Sequence, residues 1–564
     1  MNLPAMEELS ASRDMVQDFG GYNHNFRIGD NEFYDMQNLT GDYAPVLSTR
    51  RRRGMVRQMV KPNGIFATDR LAWVDGTSFF YNGSLVGEVS DSEKTFVAMG
   101  AYLIIFPDKK AYNTYTGEFT SLGAKFTSIG NVSFRLAKVD GTEYEAYSTG
   151  ASAPADPANG ALWLDTSSTP HVLKQYSSAS SAWVAVPTTY VRIGGNGIGK
   201  LFQEYDCISI SGCKDEQFNQ DMVIFARGDD YLVVTGILDQ EVLQSEPVTF
   251  ERRVPDMDYV TQCNNRIWGC SSANHEIYAC KLGDPTNWFC YMGLSSDSYA
   301  ATIGSEGSFT GACSHLGYVL FFKDHILHKV YGSMPSNYQI TDTKCRGVQG
   351  GSERSLVSVN EALYYKSRSG VCRYDGSIPV SVSDALGDVS YDGAAAGALG
   401  NKYYLSMRDK DGAYSLFVYD TRRGTWHRED NTEAKWFAYL DGDLYYVDQQ
   451  KRLMCVNGAN GSPEEEFEWN AESGDIGLGY PDNKYISKIV MRLLVGAGTV
   501  FRISVMYDSD GVWEEKACIS PDVLRSCTVP IIPKRCDHMR IRLHGKGGFK
   551  LYSISKIVEY GSEV

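Results

Sequence analysis

ALYYKSRSGVCRYDG (362–376), YYLSMRDKDGAYSLFVYD (403–420) and LYYVDQQKRLMCV (444–456) carry the fold in their spacing. Each is an apolar or aromatic run, a polar turn, then a second run. Earlier copies are LAWVDGTSFFYNG (71–83), YLIIFPDKKAYNTYTG (102–117), RIWGCSSANHEIYAC (266–280) and YVLFFKDHILHKVYG (318–332). The later copies recur roughly every 40 residues, the period of a four-stranded propeller blade. The sequence therefore predicts an all-β protein built on a β-propeller of about seven blades, with six or eight as the alternatives. Closure removes sheet edges, so N-terminal residues are expected to pair with the last blade.

Composition agrees with this. The 564 residues include 36 Tyr and 55 Gly but only 18 Pro. Tyr suits half-buried pleated surfaces, and Gly supplies positive φ in tight turns. The net charge of −15 excludes a conventional nucleic-acid binder. Charge is uneven: residues 481–564 hold 13 Lys and Arg against 9 Asp and Glu, which leaves −19 on the rest. Such a division suits subunit contacts. The 13 cysteines form no CxxC pair. Cys263, Cys270, Cys280 and Cys290 stand in strand-like text and read as reduced, buried thiols. No apolar run reaches the ~20 residues of a membrane span. The acidic N-terminus lacks a signal core, so the expectation is folding in a cytoplasm without export.

The predicted organisation follows the blade text. Residues 1–57 read as an N-terminal arm and lead-in, with a short helix or arm over 5–17. The propeller occupies 58–149 and resumes over 251–470. Two insertions separate these parts: a small Trp-containing β-module at 150–188, and a small β-barrel of SH3 or OB type at 189–250. Removing 150–250 is expected to leave a folded remainder. A linker spans 471–483. The alternating text of 484–564 predicts a β-sandwich of seven or eight strands, with a further barrel as the alternative.

The candidate chemical motifs each fail on a residue or on context. Gly194–Lys200 (GGNGIGK) resembles a phosphate-binding loop, but Leu201 replaces the magnesium-binding hydroxyl and no helix follows. Asp409–Gly412 and Asp508–Gly511 superficially resemble calcium loops, yet lack the closing glutamate; Asp-Gly between strands is a hairpin turn. His325 and His328 fall on opposite faces of a strand, without a third ligand. No HExxH or GxSxG pattern occurs. The run Arg50 to Arg53, followed by Arg57, is expected to be solvated or to meet another subunit, with a phosphate or DNA contact as the alternative. Trp163, Tyr176 and Trp183 read first as the core of the small module, with a sugar-stacking surface as the alternative. No catalytic residue, cofactor or metal is expected.

Three longer stretches carry a family resemblance. They are FGGYNHNFRIGDNEFYDMQNLTGDYAPVLSTRRRR (19–53), RRVPDMDYVTQCNNRIWGCS (252–271) with LGDPTNW (282–288), and IPKRCDHMRIRLHGKGGFKLYSISKIVEYGSE (532–563). They resemble tailed-bacteriophage tail nozzle or packaged-DNA stabilisation proteins. The segment LWLDTSSTPHVLKQY…AWVAV is similar to small modules of phage tail and fibre proteins. The resemblance implies a structural, non-enzymatic virion protein in the phage tail, forming a ring of six copies. Its partners would be portal, adaptor and tail fibre or tip proteins. Genomic DNA would be retained in the channel and conducted through it without sequence-specific binding. An acidic channel would repel the phosphate backbone and let DNA slide. Arg535, Arg540, Arg542 and Lys546 are the expected assembly residues. The alternative function is a carbohydrate-binding or host-recognition tail protein, or, further off, a propeller-type glycosidase.

Overall fold

The structure is a computed structural model describing residues 11–458, 460–479 and 485–559. Strands dominate it, joined by turns and four short 3-10 segments. Among the described residues, five four-stranded sheets, at 62–88, 95–121, 259–302, 311–344 and 357–381, have their strands in meander order. Four more strands in the same order, over 391–430, belong to a ten-stranded sheet. A five-stranded sheet takes three strands from 437–455, joined by Gly54–Gln58 from near the start of the chain, which also pairs with Ser462–Pro463. Asn82 and Gly83 (φ 50° and 82°) and Asp441 and Gly442 (φ 49° and 83°) take the left-handed pairs that two-residue hairpin turns need.

The chain divides into two compact units, 1–94 with 320–328 and 342–564, and 95–319 with 329–341. In the first unit the blade sheets pack face to face in succession. Tyr364 and Val371 of one meet Tyr403 and Tyr419 of the next. Tyr404 and Val418 then meet Leu444 and Tyr446. Tyr445 and Leu453 in turn meet Ile65 and Trp73. In the second unit, Ile104 and Phe106 pack on Ile267 and Trp288, so sheets 95–121 and 259–302 are neighbours. This is an all-β fold of propeller type, with inserted small β-domains and a C-terminal β-sandwich.

The inserts are nested. The barrel consists of two sheets that include Ala124–Thr127 and Val132–Ala137 as well as strands from 190–252. Val132–Ala137 pairs directly with Tyr190–Gly194. The four-stranded Trp module, from Ser148–Gly150 to Ala182–Ala185, leaves and returns between those two strands. The expected boundary at 149/150 therefore falls too late, since blade strands end at Ser121. Both early barrel strands alternate like blade strands, so no change of texture marks the crossing.

The sandwich also differs from expectation. Residues 485–559 supply six strands, and 11–49 supply five more. Ala11–Val16 and Val46–Thr49 pair with Phe549–Glu559. Glu32–Gln37 pairs with Glu468–Ser473, which pairs with Met539–Lys546. The lead-in is thus folded sandwich, not an arm, and the expected linker begins inside a strand. The helix-or-arm expectation over 5–17 gives way to a strand from Ala11; residues 5–10 lie outside the described residues. Unpaired, the long C-terminal strands would expose edges, and the N-terminal strands cover them. One of the two sandwich sheets runs on through Gly21–Tyr22 into the 391–430 blade, giving ten strands in all. Between the sandwich sheets, Trp469 lies 4.2 Å from Phe549 and 5.1 Å from Phe501, ring to ring.

Candidate functional site

The arginine run lies where the chain leaves the sandwich at Thr49 and enters the last blade at Gly54. Arg50 and Arg53 are buried, 8% and 3% exposed, while Arg51 and Arg52 face solvent. This corrects the expectation of a solvated or inter-subunit segment. Arg53 donates to Glu429 at 2.6 Å, to Asp430 at 2.7 Å and to Thr432 at 3.0 Å. Arg50 donates to Asn38 at 2.7 Å and pairs with Glu464, and it lies 3.6 Å from Asp430. The Glu464 carboxylate also accepts the Arg53 backbone N–H at 2.8 Å. Burial alone would raise the Asp430 carboxyl, but Arg53 and Arg50 outweigh it and hold the group below its ordinary range. Beyond them, Arg57 stacks 5.3 Å over Trp73. The result is a clasp that fastens the closing strand to the 391–430 blade and the 464–467 segment.

Next to the clasp, His427 is buried against Gly41, where an added Cβ would sit 3.1 Å from the ring. Burial, and then the Lys402 charge, push its pKa down to about 3. The ring is therefore neutral at ordinary pH.

The four expected assembly residues separate into two kinds. Arg540 is bound within the sandwich, 2.6 Å from Asp475 and 3.4 Å from Glu472. Arg542 is 2.8 Å from Glu472 and stacks 3.8 Å over Trp513. Arg535 and Lys546 are exposed. Lys546 lines a cleft of about 500 Å3 with Arg502, Arg542, His544 and Glu468. Strand register sets Arg502 opposite His544 and Val500 opposite Lys546. Sequence reading missed Arg502 and His544, because the pairing that brings them together is not written in either strand.

The aromatic trio of the small module is an edge-on cluster. Trp183 meets Trp163 at 5.5 Å and 67°, and Tyr176 at 5.4 Å and 61°. Trp163 is buried and donates its indole N–H to Gly150 O at 2.9 Å. These rings build a core and do not form one flat platform.

The remaining motifs take structural roles. The Gly197 N–H donates to the Asp230 carboxylate at 2.7 Å, and the Gly195 and Gly199 amides donate to the Asp230 and Asp229 carbonyls. An added Cβ at Gly199 would sit 1.9 Å from Gly228 O. The loop is a close-packed connector with the amides of Gly195, Gly197 and Gly199 already committed. Asp409 accepts the N–H groups of Asp411 and Ala413, and Asp508 accepts those of Asp537 and His538. His328 is buried with Nδ1 2.6 Å from Asp342, while His325 is exposed. Among the described residues, no group of three His, Cys, Asp or Glu side chains could hold a metal. The 13 cysteines are free thiols, and burial pushes Cys280 up to about 12.

No family model matches the chain, and no curated protein does. Solved structures give distant likenesses. The exo-β-1,3-galactanase of Phanerochaete chrysosporium is 10% identical over 53% of this chain and 95% of its own, with a TM-score of 0.22. Saccharomyces cerevisiae Sqt1 is 8% identical over 75% of this chain and 99% of its own, at 0.29. Chaetomium thermophilum Raptor is 10% identical over 75% of this chain and 30% of its own, at 0.30. Such values carry no functional argument. The propeller class rests on the sheets themselves.

Proposed function

We propose that this chain is a structural virion protein of a tailed phage, forming with further copies the tail nozzle ring that retains packaged DNA and conducts it at ejection. One observation carries the reading. Residues 19–53, the longest stretch of resemblance, are the segment that ties the last blade to the sandwich through the buried Arg50 and Arg53 clasp. A conduit for DNA under pressure needs closed sheets and fixed ends, and this segment supplies both. The acidic body, −19 outside residues 481–564, further suits a wall along which DNA slides without sticking.

Imaging of intact virions tests the proposal. The expected result is an axial ring of this chain below the portal and adaptor, enclosing DNA. Location in a peripheral fibre, or absence from the virion, would remove it. The assembly claim now rests on Arg535 and Lys546. Changing both to Glu should weaken incorporation at moderate salt and leave the melting temperature unchanged. Normal incorporation of that variant would exclude these two residues from the contact.

A further inference from the structure

A second and larger cleft, about 700 Å3, opens in the first unit between the sandwich turn at 41–44, Arg51 and the blade turns at 399–402, 420–423 and 439–442. Four cationic side chains line it, Arg51, Lys402, Arg422 and Arg423, against two carboxylates, Asp42 and Asp420. The carboxylates are already engaged. Asp42 pairs with Lys402 and accepts the Thr40 hydroxyl at 3.0 Å. Burial would raise the Asp42 carboxyl, but Lys402 above all, with Thr40 and then Arg51, holds it below its ordinary range. Asp420 accepts the backbone N–H groups of Arg422 and Arg423 at 3.0 and 3.3 Å. Arg423 itself pairs with Asp18.

Arg51 and Arg422 are left over. Both are exposed, and neither guanidinium lies within 4.0 Å of a carboxylate among the described residues. They come from different segments of the chain, and both line this cleft. A guanidinium fork grips two oxygens of an oxyanion at once. Two forks can use the oxygens of a phosphate, whereas a carboxylate offers only two. Beside them, Tyr439 is 55% exposed and provides an aromatic face, and Asn401 and Asn457 provide amides.

We propose that this cleft binds a phosphate oxyanion, presented as free phosphate or by the backbone of a nucleic acid, with Arg51 and Arg422 as the gripping residues. The inference stands on these side chains alone and goes beyond the structural role above. The tail reading can fail with the phosphate site intact, and the reverse.

The test uses the full chain and three probes: inorganic phosphate followed by phosphorus NMR line width, sodium acetate as competitor, and a short DNA duplex followed by fluorescence anisotropy at low salt. Arg51→Ala with Arg422→Ala should weaken phosphate binding by about tenfold or more, since each charged hydrogen-bonded contact contributes on that scale. Arg51→Lys with Arg422→Lys keeps the charge but loses the forks, and should fall between. Lys410→Ala, on an exposed hairpin turn of the same unit, should change nothing. Phosphate and duplex both weakened by the double variant would assign the nucleic-acid source; phosphate alone weakened would assign the free ion. Equal displacement by acetate, no phosphate binding by the native chain, or binding indifferent to both arginines would each overturn the proposal. A melting curve on each variant separates lost binding from lost fold.

Discussion

Arg53 shows how a single side chain can change meaning between sequence and fold. In a run of four arginines it reads as surface charge. In the structure it is 3% exposed and answers two carboxylates, Glu429 and Asp430. Removing one partner from such a cluster leaves the others buried and uncompensated. Arg53→Met should therefore cost about 3–5 kcal/mol in urea unfolding, whereas Arg52→Ala should cost under about 0.5 kcal/mol. Equal effects of the two changes would mean that the clasp contributes little. His427 gives a pH signature. Its folded pKa, about 3, lies below its ordinary value of 6.5. Between those values the unfolded chain binds more protons than the folded one, so stability is full above about pH 6.5 and falls steadily toward pH 3. His427→Asn should flatten this part of the stability curve relative to the native chain. An unchanged slope would show that other groups set it. The clasp was illegible in the sequence because Glu429, Asp430 and Glu464 lie nearly four hundred residues or more from their arginines. Nothing local distinguishes a partnered Arg50 from the solvated Arg51 beside it.

At the scale of strands and sheets, legibility follows the range of the interaction. The hairpin at Asp409–Gly412 was readable because an Asp-Gly turn is local chemistry, and Lys402–Asp409 pairs with Tyr414–Asp420 across it. The strand Glu468–Ser473 was not, because its partners Glu32–Gln37 and Met539–Lys546 are supplied from far along the chain. The nested insert was read as present but misplaced at its start, since Ala124–Thr127 alternates like a blade strand. That correction changes an expected deletion. Removing 150–250 would strip Val132–Ala137 of both its neighbours and leave a barrel fragment with open edges. Removing the small module alone should be tolerated, because Ala137 and Tyr190 are already paired across its base. A chain with 148–186 replaced by a short turn should stay soluble and keep its melting temperature within a few degrees, as judged by calorimetry. Aggregation of that variant would show that the module stabilises the barrel beneath it.

For the whole molecule, the ten-stranded sheet joins blade and sandwich without a break, and strands from both ends of the chain complete the sandwich. Ala11–Val16 pairs residue for residue with Ile554–Glu559. On a ribosome adding about 5–20 residues per second, the first strand waits on the order of a minute before its partner exists. Through that interval Ala11–Val16 has no native partner, and Gly54–Gln58 has none until Arg452–Cys455 is made. The fold thereby checks its own completeness. A chain released early can form middle blades, but it cannot finish the sandwich. Chains stopped after residue 480 should accordingly be cut by protease within residues 11–49, where the full-length chain resists. Protection of that segment in the shortened chain would show that the early strands find a resting place of their own before synthesis ends.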